Sequence, residues 1–264
     1  MTTATDPGPW VRALRGSHDR LAGIVAGLDS DGLRTQSYAS EWSIAQVLSH
    51  LGSGAEIFLL NLEAGLTGGE PPERSAYQAI WDTWNARTPD EQAAYSIAAN
   101  ETLVSRIESL TPEQAAAFQV AMFGMTMDLP GILRMRLSEH AVHTWDVAVA
   151  LDPAARVSPD AVALLIDGMA RMMPWMGKKS DSPQVIAVTT TGPEREFTLD
   201  TGGVTLAPGA PDAGETPASG ALDLTAEALL RLVYGRVGEP DVASGEVRAT
   251  NVSLADLQAV FPGF

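Results

Sequence analysis

The sequence predicts an α-helical N-terminal domain followed by a small α+β domain. Helix-start signals recur between residues 10 and 151, and the segments between them are long enough for a four-helix bundle. β-branched and alternating apolar segments appear only after residue 153. We place the two predicted domains at 1–155 and 156–264.

Capping signals mark the helix starts of the first domain. Ser43 and Gln46 fit a capping box, and 88–91 (TPDE) and 111–114 (TPEQ) repeat that pattern with proline at the first helical position. Asp128 is placed to open the last helix of this region. We expect residues 10–151 to be all-helical, with long helices at 10–28, 43–65, 89–110 and 130–151.

The second domain has mixed signals. Ser158-Pro159 predicts a helix that runs to about Met176. QVIAVTTTG (184–192) and REFTLD (195–200) are typical of strands, and GGVTLAPGAPDAGETPASG (202–220) of a short strand with a loop. We expect a helix from Thr225 to near Gly235 and a final short helix within 252–261. Helices with a few antiparallel strands indicate an α+β domain.

Composition excludes several classes of function. The chain has 33 acidic and 17 basic residues, a net charge of −16, and no basic patch for nucleic acid or an anionic membrane. It has no cysteine, so a metal must be held by His, Asp or Glu, and a Cys nucleophile is excluded. The N-terminal MTTATDPGPW does not fit a signal peptide, and no apolar run approaches the ~20 residues of a membrane span. We therefore expect a cytoplasmic protein.

RLSEHAVHTWDVAVAL (136–151) places four polar side chains on one helical face. Arg136, Glu139, His143 and Asp146 are spaced by three, four and three residues, so they align along the helix. A solvated face with paired charges would explain this spacing. The rest of the helix is largely apolar, however, which predicts burial nearly all round. Buried carboxylate and imidazole groups need partners.

A divalent metal would be such a partner. A carboxylate and an imidazole one turn apart suit zinc, so Glu139 and His143 are candidate ligands, and Arg136 and Asp146 are candidates for orienting them. His50, on the second long helix, is the third candidate ligand, although a core histidine is the alternative interpretation.

The chain has two further histidines. His140 is a candidate for orienting the ligands or facing the substrate, and a rival ligand. We expect His18 on the surface of the first helix.

These residues resemble the mycothiol-dependent maleylpyruvate isomerase family, within the DinB/YfiT-like metal-binding bundles. The resemblance rests on EWSIAQVLSHL (41–51), the pattern at 136–146 and LLRLVYGRVG (229–238), and it extends over essentially the whole chain. It implies a DinB-like four-helix bundle followed by a small α+β C-terminal domain. It also implies a divalent metal, zinc above others, on His50, Glu139 and His143, with water at an open position and mycothiol as thiol cosubstrate.

In the isomerase branch of that family, an arginine of the C-terminal domain takes part in catalysis. Arg236 is the best match for it, and Arg231 is the nearby alternative. Either could instead be a helix-end arginine that stabilises the helix dipole. If Arg236 is catalytic, its guanidinium would bind a substrate carboxylate.

We hypothesise a metal-dependent, mycothiol-using enzyme in which the thiolate attacks a small electrophile. The reaction would be cis-trans isomerisation of a maleylpyruvate-type substrate or S-transfer. A metal-dependent hydrolase that activates water would use the same ligands. A non-catalytic DinB-like module that binds a small ligand is the third hypothesis. The expected partner is a small molecule rather than nucleic acid or a membrane, and the chain would be a monomer or a homodimer.

Overall fold

A computed structural model of the protein describes residues 6–39, 41–122, 124–212 and 217–263. The chain divides into two compact units, one ending at Ala161 and the other beginning at Val162, and each is described by itself. The predicted boundary after residue 155 lies inside the first unit, and the domain assignments stay predictions. Residues 1–5 of the N-terminal segment and 213–216 of the predicted loop lie outside the described residues.

The first unit is mainly helical. Its elements, in chain order, are α1 (Gly8–Val25), α2 (Ser30–Leu33), α3 (Ile44–Thr67), α4 (Arg74–Asn85), α5 (Pro89–Glu108), α6 (Pro112–Ala117), β1 (Val120–Met122), β2 (Met125–Met127), α7 (Leu129–Leu151) and α8 (Pro159–Leu165), in which the division falls.

The four long helices form a bundle. α1 and α3 each pack against both α5 and α7, so α7 lies between α1 and α3 and across the bundle from α5. The predicted long helices are confirmed to within a few residues. Two expectations were wrong: the region is not all-helical, because β1 and β2 form an antiparallel hairpin, and α4 was missed between α3 and α5.

The predicted capping signals are confirmed. Ser43 begins α3 with a reciprocal capping box, in which its Oγ accepts from Gln46 N at 3.3 Å and its N–H donates to Gln46 Oε1 at 2.8 Å. Thr88 and Thr111 begin α5 and α6 in the same way. Asp128 caps α7 by accepting from Gly131 N at 2.9 Å. These caps fix where the site-bearing helices α3 and α7 start.

α7 is buried nearly all round, as its pattern predicted. Apolar side chains such as Leu137 and Val142 are buried together with the polar side chains of Arg136, His140 and Asp146. Among the helices that the structure describes, none combines the length and the hydrophobicity that a bilayer span requires. Polar groups buried on α7 therefore have to be satisfied within the bundle.

The second unit contains a five-stranded sheet. After α8 come a 3₁₀ segment (Ile166–Arg171) and α9 (Met173–Met176), then β3 (Val185–Thr191), β4 (Arg195–Asp200), β5 (Thr205–Pro208), β6 (Gly220–Thr225), α10 (Ala226–Val233), α11 (Glu239–Ala243), β7 (Val247–Thr250) and α12 (Leu254–Val260). The strand order is β5-β4-β3-β6-β7, and α10 packs against β3 and β6. The predicted strands, the helix beginning at Thr225 and the final helix are confirmed.

The sheet departs from prediction in its pairing. β3 and β6 run parallel, whereas we expected antiparallel strands only, and β6 and β7 were missed. Strand propensity did not indicate β6, because its sequence, GALDLT, contains Gly and Asp, which are depleted in strands. The helix expected up to Met176 is divided by the 3₁₀ segment.

Candidate metal centre

Three side chains from α3 and α7 converge within the bundle. Glu139 and His143 are one turn apart on α7, so their side chains point the same way. His50 Nε2 of α3 lies 3.3 Å from Glu139 Oε2, and His143 Nε2 lies 3.6 Å from the same oxygen. The three donor atoms are within 4.8 Å of one another. The structure thus brings together the three residues predicted as ligands, while their binding of a metal stays a prediction.

The spacing of these atoms suits a small divalent cation. Ligand atoms at ~2.0–2.2 Å from a tetrahedral zinc lie about 3.3–3.6 Å apart. The distances from Glu139 to the two imidazoles, 3.3 and 3.6 Å, agree with that geometry. The side chains of His50 and Glu139 are 37% and 34% exposed, so one side of the cluster is open to a further ligand. Two histidines, one carboxylate and an open position form a site of the catalytic type.

Asp146 fixes the orientation of His143. Its carboxylate is fully buried and accepts a hydrogen bond from His143 Nδ1 at 2.8 Å. When His143 carries one proton, this bond keeps that proton on Nδ1, so the lone pair available to a metal is on Nε2, the nitrogen beside Glu139. Asp146 therefore has the geometry expected of a residue that orients a metal-binding imidazole, as the sequence predicted, although its role in binding is untested.

At neutral pH the protonation states favour metal binding by Glu139 and His50, but not by His143. Burial opposes the charge on Glu139, but hydrogen bonds to His143 and His50 outweigh it and hold the pKa of Glu139 well below its usual range. Burial lowers the pKa of His50, so that ring is neutral. Burial also acts to lower the pKa of His143, yet the bonds to Asp146 and Glu139 raise it overall. A proton on His143 is therefore the main competitor of a metal.

Arg136 lies in the centre of the bundle. Its Nη2 donates to the carbonyl of Leu51 at 2.9 Å and to Asn100 Oδ1 of α5. Burial lowers the pKa of Arg136 to about 10, so the guanidinium stays charged at neutral pH and interacts electrostatically with Glu139. The absence of a side chain at Gly54 makes room for it, since a Cβ there would lie 3.0 Å from Nη1. Arg136 is not among the three donor residues, and its predicted role in orienting the ligands stays a prediction.

The other two histidines lie on the α1 side of α7. His140 shares hydrogen bonds with Ser17 at 2.8 Å and Thr144 at 3.3 Å, and it is not part of the three-residue cluster. The surface location expected for His18 is wrong: the residue is 3% exposed, and its Nε2 donates to Glu101 at 3.0 Å. The position of His18 within α1 did not reveal this burial, because burial depends on α7 and α5, which pack against α1.

The candidate catalytic arginines belong to the second unit, and both are buried. The guanidinium of Arg231 donates to carboxylates of Glu227, Asp241 and Glu246 at 2.8 to 3.2 Å, and to the carbonyl of Arg236 at 3.0 Å. That of Arg236 donates to the carbonyl of Tyr234. Neither is the exposed helix-end arginine of the alternative interpretation, and their catalytic roles stay predictions.

Sequence reasoning missed one residue of the centre. Trp42 was not among the predicted site residues, yet its indole lies 5.3 Å from the ring of His50 and 6.3 Å from that of His143, measured between centroids. Trp42 precedes α3, where helical periodicity does not apply, so spacing gave no signal of this contact.

Three similar proteins illustrate the comparison with known proteins. The solved crystal structure of the mycothiol-dependent maleylpyruvate isomerase covers 96% of both chains with a TM-score of 0.69 at 13% identity, which shows a common fold. A Geobacillus thermodenitrificans protein named "Putative metal-dependent hydrolase" is 31% identical over 90 residues, 34% of this chain and 48% of that protein. The chain thus spans about half the length of this curated relative. YfiT from Bacillus subtilis gives a TM-score of 0.43 over 57% of this chain, from which nothing further follows.

The family of this chain is shown by a family model that matches more than half of it. The model described as the mycothiol maleylpyruvate isomerase N-terminal domain matches residues 14–148, just over half of the chain. This range contains most of the bundle and all three residues of the cluster, together with Asp146 and Trp42. The chain therefore belongs to the mycothiol maleylpyruvate isomerase N-terminal domain family.

Proposed function

We propose that this chain is a metal-dependent enzyme that uses a low-molecular-weight thiol, mycothiol, to attack a small electrophilic substrate. The reaction is cis-trans isomerisation of a maleylpyruvate-type substrate or S-transfer. One observation carries the proposal. His50, Glu139 and His143 converge, and solvent has access to one side of this cluster. Family membership and the common fold over 96% of the chain support it.

The protein's own side chains prepare the site. Glu139 is ionised and His50 neutral, and Asp146 holds the Nδ1 proton of His143, so a metal that displaces the other ring proton would bind Nε2. A divalent metal held by these three residues would supply Lewis acidity, which lowers the pKa of a bound thiol to near neutrality. Because the chain has no cysteine, the sulfur nucleophile has to come from a cosubstrate.

The isomerisation then needs no net redox change. The thiolate adds to the double bond of the substrate, the resulting carbon–carbon single bond rotates, and elimination of the same thiolate gives the trans isomer. For S-transfer, the carbon–sulfur bond is kept and the carbanion left by the addition takes up a proton, so that the thioether is the product. We assign the binding of a substrate carboxylate to Arg236, on the family resemblance alone. Arg231 is the weaker choice, because its guanidinium already binds three carboxylates.

Calorimetric titration of the zinc-loaded protein with mycothiol tests the thiol. Runs in two buffers of different ionisation enthalpy give the number of protons released, and we expect about one, because a thiol must lose its proton to become a metal ligand. S-methylated mycothiol, which has no proton to lose, is the matched control. Mycothiol binding without proton release, or no binding heat, would contradict the thiol part of the proposal.

A metal-dependent hydrolase is the second candidate. The 90-residue similarity to the Geobacillus protein favours it, because the name of that protein states metal-dependent hydrolysis. The same three residues would serve, with water in place of the thiol. Turnover of candidate substrates with and without added thiol distinguishes the two: a thiol-independent rate supports the hydrolase.

A further inference from the structure

Trp42 forms a ring cluster with two of the candidate ligands. Its indole is tilted by 43° against His50 at 5.3 Å and stacked at 29° against His143 at 6.3 Å, and the two imidazoles meet edge-to-face at 4.7 Å. These separations fall within the range of favourable aromatic pairs, ~4.5–7 Å. One indole therefore borders both imidazoles.

The two imidazoles are held in different ways. His143 has Asp146 behind it, which fixes the ring through Nδ1. For His50, the hydrogen bond seen among the described residues goes to Glu139, itself a candidate ligand. A metal would coordinate His50 Nε2 and Glu139 Oε2, so the ring of His50 would lose this hydrogen bond. Among the described residues, ring contacts with Trp42 and His143 then constrain its orientation.

The backbone of Trp42 is fixed independently of the metal centre. Its carbonyl accepts from Ser37 N at 3.0 Å, from Ser37 Oγ at 2.7 Å and from Gln36 Nε2 at 2.7 Å. The same loop is tied to α7, since Tyr38 N donates to the carbonyl of Asp146 at 3.1 Å. The loop therefore connects the indole to the helix segment that orients His143.

We propose that Trp42 is a positioning residue that holds the His50 imidazole in its metal-binding orientation, as Asp146 does for His143. This inference rests on the metal site of the proposed function. Most metal-binding histidines are oriented by a hydrogen bond to a carboxylate or a carbonyl group. For His50, an aromatic ring would provide this orientation. The indole acts through its face, so another aromatic ring replaces it better than an aliphatic side chain of similar hydrophobicity.

Zinc affinity of Trp42 variants, measured by competition with a chromophoric chelator, tests the proposal. We expect Trp42→Leu to bind Zn²⁺ about 10-fold more weakly than the wild type, the lower end of what loss of a ligand-orienting residue costs. Trp42→Phe should recover most of that affinity. Trp81→Leu on α4, which changes a 37% exposed tryptophan outside the ring cluster, is the matched control and should leave affinity unchanged.

Co²⁺ binding provides two further readouts, one of the location of Trp42 and one of the geometry at the metal. Quenching of tryptophan fluorescence by Co²⁺ should be smaller in Trp42→Phe than in the wild type, because this change removes the tryptophan that borders both imidazoles. The Co²⁺ absorption spectrum should change in Trp42→Leu and stay close to that of the wild type in Trp42→Phe.

Three results would overturn the inference. Trp42→Leu could bind zinc as tightly as the wild type, or the Phe and Leu variants could lose affinity equally. A wild type that fails to bind zinc would overturn the metal site of the proposed function, and the role of Trp42 with it. Unfolding midpoints of the metal-free variants separate lost positioning from lost folding. If Trp42→Leu does not fold, Trp42→Met takes its place.

Discussion

α7 carries two histidines three residues apart with opposite surroundings. His143 faces α3, and the carboxylates of Asp146 and Glu139, both on α7, raise the pKa of its imidazole despite burial. His140 faces α1, where it meets the hydroxyls of Ser17 from α1 and Thr144 from α7, and burial lowers its pKa well below the ordinary value. Both rings are largely buried in the same helix, so burial alone does not separate them.

The comparison shows which neighbours prepare a histidine for metal. Positions three residues apart are only ~60° apart around a helix, so the two rings differ by which adjoining helix each one meets. α3 contributes His50, a further donor, to the His143 side. α1 contributes Ser17 to the His140 side, where His140 Nε2 has no hydrogen-bond partner among the described residues. A metal needs several convergent donors, and among the described residues the group close enough to hold one lies on the α3 side.

The largest difference between the two histidines should appear on removing each ring. We expect His143→Ala to lose more than about 100-fold in zinc affinity, since removing a ligand costs more than removing a residue that only orients one. His140→Ala should keep the affinity of the wild type to within a few-fold. Metal content after purification, together with chelator competition, measures both.

The fold of each variant has to be checked, because both substitutions leave a space in the bundle. Far-UV circular dichroism and the unfolding midpoint of the metal-free proteins serve this purpose. Equal metal retention by the two variants would show that His143 is not a ligand. Loss of metal in both folded variants would make His140 part of the site.

A smaller effect is expected from the partners of the two rings. Asp146→Asn keeps the shape of the side chain but removes the charge that orients His143, and we expect zinc affinity to fall about 10–100-fold. Ser17→Ala removes the closer of the two hydrogen-bond partners of His140 and is the matched control, with no change in zinc affinity. An Asp146→Asn variant with wild-type affinity would mean that the geometry of His143 does not depend on this carboxylate.

Helical periodicity explains why so much of this site could be predicted. Glu139, His143 and Asp146 are spaced so that their side chains lie on one face of a helix. The caps at Ser43 and Asp128 fix where α3 and α7 begin. His50 was accessible in the same way, because its own helix places it among core positions. Local rules were sufficient wherever the feature lay within one regular helix.

Features that depend on contacts between distant segments were not predicted. The burial of His18 depends on α5, which brings Glu101 to it from 83 positions away in the chain. The contact of Trp42 with both imidazoles depends on the loop that precedes α3, whose path has no periodicity. The parallel pairing of β3 with β6 skips two intervening strands. In each case the determining partner lies outside the local segment whose pattern was interpreted.

The smallest expected effect concerns the pH dependence of stability in the metal-free protein. An unfolded-chain histidine titrates near 6.5. Burial holds the pKa of His140 below that value, so below about pH 6.5 the unfolded chain binds the additional proton and stability falls as the pH decreases. His143 has a raised pKa, so its contribution is present at acid pH and lost as the pH rises through that pKa. The two faces of α7 therefore act in opposite directions.

Denaturant unfolding in the presence of a chelator, from pH 7.5 to 5.0, tests these signs. We expect His140→Gln to lose less stability than the wild type on acidification, and His143→Gln to lose more. Each change is bounded by about 1.4 kcal/mol per pH unit for a single proton. Parallel curves for the wild type and both variants would mean that neither imidazole changes its pKa on folding. A steeper acid loss in His140→Gln would mean that this ring, too, is stabilised in its charged form, and the contrast between the two faces of α7 would not hold.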